Sequence, residues 1–400
     1  MLAGHNLQVR AHRSLDALEL LRKDWEELLA AFPAATTFST LEWLAPWWRA
    51  FGKGRELLVL AFHDDSSRLV GLAPLSVSTE RTSTGIKLRT LRLMGDGSGD
   101  SDNLDLPVRP GYEKPFATAL LNSLKTQLQS WDCCQLNTLP SHSPAGNALL
   151  ENLTHRGWTR YIYARAWSAV DLPDNWEAYM KKLSSKERGK VGYYTRRLEK
   201  NYQARFYKCA DPNDLPRCLD ALFELHQNRW QGAGEPGSFA SAERREFYQE
   251  MARGLLARGW LELCMLEING KPVAAQFGFR YNNTVFALQE GFNSDYSLDA
   301  VGYVLRAHVL KHLIAEGADR YDFLAGESES KARWGASAGH YMDIHFSRPW
   351  TLGSLYLRGL HGAGRAKERL RESVPPKAWA VLHSLNLKLH GAKSKTSEPG

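Results

Sequence analysis

Two groups of polar residues in the second half of the chain have types and spacings suited to binding a charged ligand. His226 and Arg229 are three residues apart in a predicted helix, so their side chains share one face and can reach the same ligand. Lys331 and Trp334 follow Glu327 closely in the sequence. Such a basic and aromatic cluster is suited to binding a phosphate or a sugar and to placing the carboxylate of Glu327 beside it. A packed helix face remains the alternative for the first pair.

A third candidate site lies where a helix is predicted to begin, near Ala300. The N–H groups of a first helical turn have no partners within the helix, and the helix dipole favours an anion there. Ser297, Ala300, Val301 and Gly302 form this turn, and Gly302 would let a ligand approach the backbone closely. Asp299 is expected to cap the helix and would repel a phosphate, so an ordinary capped helix remains the alternative.

The composition is that of a globular protein. Of 400 residues, 43% are hydrophobic and 24% are charged, and apolar runs such as Leu57–Phe62 are far shorter than a membrane span. The first residues do not resemble a signal peptide, which predicts a cytoplasmic location. The five cysteines show no zinc-binding spacing, so no metal is expected.

The net charge of +7 is concentrated in two segments. Residues 181–200 contain eight basic and two acidic residues, and residues 351–400 contain nine basic and three acidic residues. Such segments attract phosphates, nucleic acid or anionic lipid, although a solvated helix face is the commoner outcome. The charge of the basic tail is compatible with peripheral contact with a membrane surface.

The hydrophobic pattern predicts the same order of elements in both halves: two helices, three strands, then helix, strand, helix and strand. In the second half the three strands are predicted at Trp260–Ile268, Pro272–Tyr281 and Thr284–Gly291, with a tight turn at Asn269-Gly270. Helices are predicted at Asp16–Ala31, from Ser39 with a capping box to Glu42, and at Glu113–Gln129, Pro144–Arg156, Glu177–Lys200, Leu215–Gln231, Ala242–Arg258 and Ala300–Glu316. The expected organisation is two copies of one α/β fold, residues 1–172 and 173–350, then a basic helical tail, 351–400, with a disordered end.

Several stretches in this order resemble a known family. They are Leu183–Arg188, Leu225–Trp230, Tyr321–Glu327 followed by Lys331–Gly335, and, in the first half, Phe38-Ser39 before Trp43 and Gly99–Asp102. Together they resemble the CelD-type (cellulose-biosynthesis-associated) acetyltransferases of the GNAT superfamily, over roughly residues 38–350. The two-copy layout also resembles the Fem-type aminoacyl transferases. The resemblance implies a tandem pair of GNAT-like α/β units, each a mixed, largely antiparallel central sheet flanked by helices.

The resemblance also implies a reaction: transfer of an acyl group, expected to be acetyl from acetyl-CoA, to an amine or hydroxyl of a sugar, polysaccharide precursor or small metabolite. This reaction needs a base near the acceptor, donors for the oxyanion and an acid for the thiolate. We assign Glu290 as the base and Tyr303 as the acid, with Tyr296 and Tyr321 as the alternatives for the acid. The resemblance implies that backbone N–H groups of the third meander strand stabilise the oxyanion. An exposed strand carboxylate is the alternative for Glu290. The resemblance places His226 and Arg229 in the acceptor cleft, and Gln276 would line it.

Two other functions fit the sequence. A Fem-type aminoacyl transferase that uses charged tRNA would explain the basic helix and tail, whereas no other nucleic acid partner is expected. A non-catalytic binding module of the same fold would explain why Asp299 stands where the family pattern has a glycine-rich anion loop. In the first half, the acidic loop Gly95–Pro110 is not expected to hold the cofactor. It is either a solvated turn or a segment that projects towards the cleft of the second half.

Overall fold

The computed structural model describes residues 7–82, 85–126, 131–232 and 237–373. Its twelve strands are β1 Gln8–His12, β2 Arg55–His63, β3 Leu69–Arg81, β4 Lys87–Leu93, β5 Cys133–Pro140, β6 Thr159–Asp171, β7 Ala204–Lys208, β8 Leu261–Ile268, β9 Lys271–Tyr281, β10 Thr284–Phe292, β11 Arg320–Ala325 and β12 Ser337–Ser347. The predicted disorder at the end of the tail, Ala392–Gly400, lies outside the described residues.

The helices flank these strands. They are α1 Leu15–Leu20, α2 Arg22–Ala31, α3 Leu41–Phe51, α4 Glu113–Thr126, α5 Pro144–His155, α6 Trp176–Lys182, α7 Ser185–Asn201, α8 Leu215–Gly232, α9 Ala242–Ala257, α10 Val301–Ala315, α11 Glu329–Ala332 and α12 Leu352–Ser373. Short 3₁₀ turns lie at Thr37–Ser39, Ser238–Ala240 and Ser294–Asp299. Of the described helices, none is long and apolar enough to cross a membrane.

All twelve strands belong to one sheet, in the order β1-β2-β3-β4-β5-β12-β6-β11-β10-β9-β8-β7. This is the expected mixed α/β fold, because antiparallel pairs predominate while β4 with β5, and β10 with β11, are parallel. The two halves exchange their last strands: β6 pairs with β12 and β11, and β12 pairs with β5 and β6. The repeated order of elements is therefore joined into a single sheet.

Apolar side chains form two cores around this sheet. The larger core joins the helices of the first half to α8 and α9, through contacts such as Trp43 with Phe247, whose ring centroids are 5.3 Å apart. The smaller core holds α6, α7 and α10 on the second half of the sheet, around Tyr179, Val304 and Tyr321. Because α8 and α10 belong to different cores but both contact β10, the end of β10 lies between them.

Several local predictions were wrong, and the reasons are visible. The predicted helix at Asp16–Ala31 is two helices, and the one at Glu177–Lys200 breaks at Leu183, after which the Ser184 hydroxyl accepts from the Glu187 N–H at 3.2 Å and starts α7. The capping box at Ser39 does not form, because Ser39 lies in a 3₁₀ turn and α3 begins at Leu41. The turn at Asn269-Gly270 is confirmed, with φ of 51° and 76°.

Candidate active site

A cleft opens in the sheet where β10 and β11 separate. The two strands pair in parallel over Thr284–Phe286 and Arg320–Asp322 only, although β10 continues to Phe292. A register shift between Ala287 and Gln289 interrupts the pairing of β10 with β9 just after this point. Bulges of this kind re-aim side chains and often lie beside active sites. The residues after the separation line two adjoining cavities.

The first cavity, which we call the α10 cavity, has a volume of about 330 Å³. It is lined by Glu290, Phe292, Tyr296, Ser297, Ala300, Val301, Gly302, Tyr303, Arg306, Ser330 and Trp334. The structure therefore brings the four predicted anion-binding residues together with the predicted base and acid. The first turn of α10 opens into this space, as an anion site at a helix end requires.

The start of α10 differs from the prediction in the residue that caps it. Ala300, with φ 50° and ψ 43°, is the N-cap, and no described side chain accepts a hydrogen bond from the first turn. Asp299 is instead buried, where its carboxylate accepts from Arg197 Nε at 2.7 Å and from the Tyr202 hydroxyl at 3.0 Å. The expectation that Asp299 caps the helix was wrong, and its charge is balanced by Arg197.

The side of α10 that faces the cavity is packed closely. A side chain at Gly302 would place its Cβ 2.9 Å from the ring of Phe292, so glycine lets the helix approach the end of β10. The Tyr303 ring lies 4.5 Å from the Trp334 ring, and its hydroxyl donates to Glu187 Oε2 at 2.9 Å. Burial and then the Glu187 carboxylate raise the pKa of Tyr303 above its usual value. Its proton is therefore held firmly at neutral pH.

The second cavity, the α8 cavity, has a volume of about 180 Å³. It shares Glu290, Arg306 and Ser330 with the α10 cavity, and is otherwise lined by His226, Arg229, Trp230, Gln276, Ala287, Leu288, Gln289, Phe323 and Lys331. Four of the predicted substrate-binding residues, His226, Arg229, Gln276 and Lys331, thus lie in one cavity, next to the predicted base.

Glu290 lies between the cavities and is held by two guanidinium groups. Arg306 of α10 contacts its Oε2, and Arg229 Nη1 of α8 is 3.6 Å from its Oε1. The side chain of Glu290 is 38% exposed and that of Arg306 only 13%. Burial opposes ionisation, but Arg306 and then Arg229 outweigh it and lower the pKa of Glu290. Glu290 is therefore an ionised and weakly basic carboxylate at neutral pH.

Close backbone contact between α8 and β10 positions His226 and Arg229. A Cβ at Gly291 would lie 2.4 Å from the backbone nitrogen of His226, so only glycine permits this approach. The Trp230 indole N–H donates to His226 Nε2 at 3.0 Å. Burial, followed by the charge of Arg229, lowers the pKa of His226 to about 4. His226 is neutral at pH 7 and its Nε2 is occupied as an acceptor.

The predicted site residues in the segment after β11 do not all line the two cavities. Lys331 lines the α8 cavity, and its Nζ donates to the carbonyls of Leu324, Ala325 and Gly326 at 3.2, 2.6 and 2.8 Å. Trp334 is buried and lines the α10 cavity. Glu327 is exposed and lines neither cavity, so the structure does not bring it to the other candidates.

At the corresponding place in the first half, hydrogen bonds connect the residues at the ends of β4 and β5. Between β4 and β5, Asp96 Oδ2 accepts from Asn137 Nδ2 at 2.9 Å and from Arg92 Nη1 at 3.1 Å. The acidic loop does reach the second half: Asp100 is buried beside Arg244 at 3.2 Å and Tyr248 at 3.0 Å. The loop is therefore not a solvated turn, and its carboxylates bind groups of the protein itself.

Sequence reasoning missed Arg306, the main partner of Glu290, and Glu187, the partner of Tyr303. Arg306 stands among buried apolar residues of α10, next to Leu305 and Ala307, and a cation placed within such a face is the signal that identifies it. Glu187 lies three residues after Ser184, the spacing of a capping box, but its contact with Tyr303 joins distant segments. Within the described residues, no cluster of three or more His, Cys, Asp or Glu side chains could hold a metal ion.

Residues 185–332 match a family model described as an acetyltransferase (GNAT) domain. No curated protein matches the sequence of the chain. Among solved structures, FemX has a TM-score of 0.59 at 12% identity, over 84% of this chain and 97% of that chain. A protein of unknown function from Bacteroides thetaiotaomicron VPI-5482 has a TM-score of 0.52 at 13% identity, over 82% of this chain and 97% of that one. At these identities the similarities show the fold alone: a GNAT-like mixed α/β fold.

Proposed function

We propose that the chain is a cytoplasmic acyltransferase of the CelD type that moves an acyl group, acetyl in the simplest case, from acyl-CoA to an amine or hydroxyl. The acceptor would be a sugar, a polysaccharide precursor or a small metabolite. The match of residues 185–332 to the acetyltransferase domain model supports the reaction class. The observation that carries the proposal is the open start of α10, which faces a cavity that adjoins a second cavity at Glu290.

The residues fit an anionic acyl donor in the α10 cavity. The first turn of α10 contains no acidic residue, and Asp299 is paired elsewhere, so the helix end keeps its positive dipole. Backbone N–H groups there can donate hydrogen bonds to the oxygens of a pyrophosphate. The acyl group would then lie towards Glu290, which the two cavities share, and an acceptor in the α8 cavity could reach it.

Each remaining step is assigned to a group of the chain. Glu290 takes the proton of the acceptor amine or hydroxyl as it attacks the acyl carbonyl. Backbone N–H groups near the β10 bulge, where Leu288 has no partner in β9, stabilise the oxyanion. When the carbon–sulfur bond breaks, Tyr303 gives its proton to the thiolate and recovers one from solvent. Because the pKa of Tyr303 is raised, its proton transfer to the thiolate is the least favourable of these steps.

A second candidate function is aminoacyl transfer from charged tRNA, as in Fem-type enzymes. It is favoured by the basic surface of α7, where Lys186, Arg188 and Arg196 are exposed on the helix that holds Tyr303 through Glu187. Such a surface attracts a phosphate backbone, and the binding would weaken steeply with salt. Calorimetry with acetyl-CoA and then with tRNA separates the two functions, and the absence of both interactions would favour a binding module.

A charge placed at the start of α10 tests the donor site directly. Ser297 is exposed and lines the α10 cavity. In Ser297→Asp the new carboxylate would repel the donor phosphates by roughly 1 kcal/mol per charge at close range, so the Kd for acetyl-CoA should rise about tenfold. The same charge favours the helix itself, so the variant should remain folded.

Ser297→Asn is the matched control, because it has the same shape without the charge. We expect its Kd for acetyl-CoA to equal that of the unmodified chain. Equal affinities for the Asp and Asn variants would remove the anion site from α10. If wild-type protein binds no acetyl-CoA but binds tRNA, the aminoacyl transfer function replaces the first proposal.

A further inference from the structure

The α8 cavity has an excess of positive charge that no carboxylate lining it balances among the residues that the structure describes. Arg229 and Arg306 both pair with the single carboxylate of Glu290, so the three groups together carry one positive charge. Their other close contacts are with aromatic rings: Arg229 lies over Phe292 at 4.8 Å and Arg306 over Phe323 at 5.1 Å. Rings help to position a guanidinium but do not neutralise it.

The other charged groups at this cavity do not alter that balance. Lys331 adds no free donor, because its Nζ already donates to three carbonyls, and the Asp102 and Asp322 carboxylates that favour its charge line neither cavity. His226 is neutral because its pKa is lowered to about 4. The uncompensated charge therefore belongs to the two arginines beside Glu290.

A buried donor without a partner points to the same place. Gln276, which is opposite Glu290 in the β9–β10 ladder, is only 2% exposed and lines the α8 cavity. Its Oε1 accepts from the Tyr321 hydroxyl at 2.9 Å, so the orientation of the amide is set. Its Nε2 has no hydrogen-bond partner among the described residues. Buried polar groups seldom lack a hydrogen-bond partner, which indicates that an acceptor atom of a ligand accepts from this N–H group.

From these observations we propose that the α8 cavity binds a carboxylate carried by the acyl acceptor, held by the guanidinium of Arg229 and the amide N–H of Gln276. A carboxylate has the single negative charge that the site lacks, and its planar pair of oxygens suits a guanidinium. The cavity, at about 180 Å³, is smaller than sites for whole ligands, so it suits one end of an acceptor. This inference rests on the proposed acyl transfer and narrows its acceptor to amino or hydroxy acids, including acidic sugars.

Matched pairs of acids and amides test the inference by binding, without need of turnover. The pairs are glycine and glycinamide, lysine and lysinamide, and glucuronate and glucuronamide, each titrated by calorimetry into protein saturated with CoA and into protein alone. Because a charge-assisted hydrogen bond adds substantially to the binding affinity, we expect at least one acid to bind ~10-fold more tightly than its amide. Arg229→Gln should remove most of that preference while the Kd for CoA is unchanged.

Arg320→Gln is the control for loss of an arginine. Arg320 is 34% exposed, close to the 36% of Arg229, and likewise pairs with a carboxylate and lies over an aromatic ring, but it lines neither cavity. The Arg320→Gln variant should therefore prefer acids over their amides as strongly as the wild type does. Amides that bind as well as acids, a panel in which no acid binds, or a preference that survives in Arg229→Gln would each overturn the carboxylate site. Failure of CoA to bind would instead remove the acyl transfer, and the titrations of protein alone would still test the carboxylate site.

Discussion

The base that we propose, Glu290, would combine two roles that conflict with each other. Its carboxylate neutralises part of the charge of Arg229 and Arg306, and it lies between the two cavities, where the proposed reaction needs a base. The arginines keep it ionised and therefore ready to accept a proton, but they also make it a weaker base. A base of this kind depends on close positioning of the acceptor, and under the proposed function the two cavities and their shared wall would supply it.

Glu290→Gln separates these functions. The amide keeps the shape but cannot accept the acceptor proton, so thiol release from acetyl-CoA should fall ~100-fold or more while the Kd for acetyl-CoA holds. The pH profile of the wild type gives a second measurement. Because the pKa of Glu290 is lowered from its usual 4.5, the ionised base persists above that value, and the rate should decline only below it.

Glu267→Gln controls for the loss of an ion pair on a strand. Glu267 of β8 is buried and pairs with Arg217 at 3.0 Å, and it lines neither cavity. This variant should lose stability but keep its rate per folded molecule. Normal turnover in Glu290→Gln would exclude the residue as the base, and an equal loss in both variants would attribute the effect to folding.

The proposed donor site depends on the beginning of α10. Ala300 adopts the left-handed conformation, which costs roughly 1–2 kcal/mol for a residue with a Cβ. Glycine adopts it without that cost. We therefore expect Ala300→Gly to raise the free energy of unfolding by about 1 kcal/mol in urea titrations, because it relieves strain at the helix start.

Ala307→Gly, in the middle of the same helix, should change the free energy of unfolding in the opposite direction. Ala307 is buried and helical, so glycine there should lower the free energy of unfolding by about 1 kcal/mol. If Ala300→Gly destabilises the protein as much as Ala307→Gly does, the left-handed start of α10 is not strained.

Individual strands and helices of both halves show what a sequence can and cannot predict. The meander was predicted because Asn269-Gly270 has one strongly preferred turn geometry. Strands β1 and β7 were missed, since each is a five-residue edge strand that depends on the ladder offered by β2 or β8. The pairing of Arg306 with Glu290 depends on where α10 lies against β10, which is set by tertiary packing rather than by local pattern.

At the scale of the whole molecule, strand exchange makes each half depend on the other. The sequence predicts the repeat, but the pattern of a strand does not say which half will pair with it. Among the described strands, β6 pairs with none of its own half, and neither does β12. Phe346 of β12 packs against Trp131 and Trp158 of the first half, with ring centroids 6.1 and 5.9 Å apart.

Separate expression of residues 1–172 and 173–400 tests this dependence. Each fragment would expose unpaired strand edges and an open apolar core, so neither alone should unfold cooperatively. Co-expressed fragments should copurify in equal amounts through a tag on one of them and recover a cooperative thermal transition. A flexible insertion between Pro173 and Asp174 of the intact chain is the control, because a longer connection costs little and leaves every strand pair available. A cooperative transition in either isolated fragment would show that the exchanged strands are dispensable, and the two halves would then be independent domains.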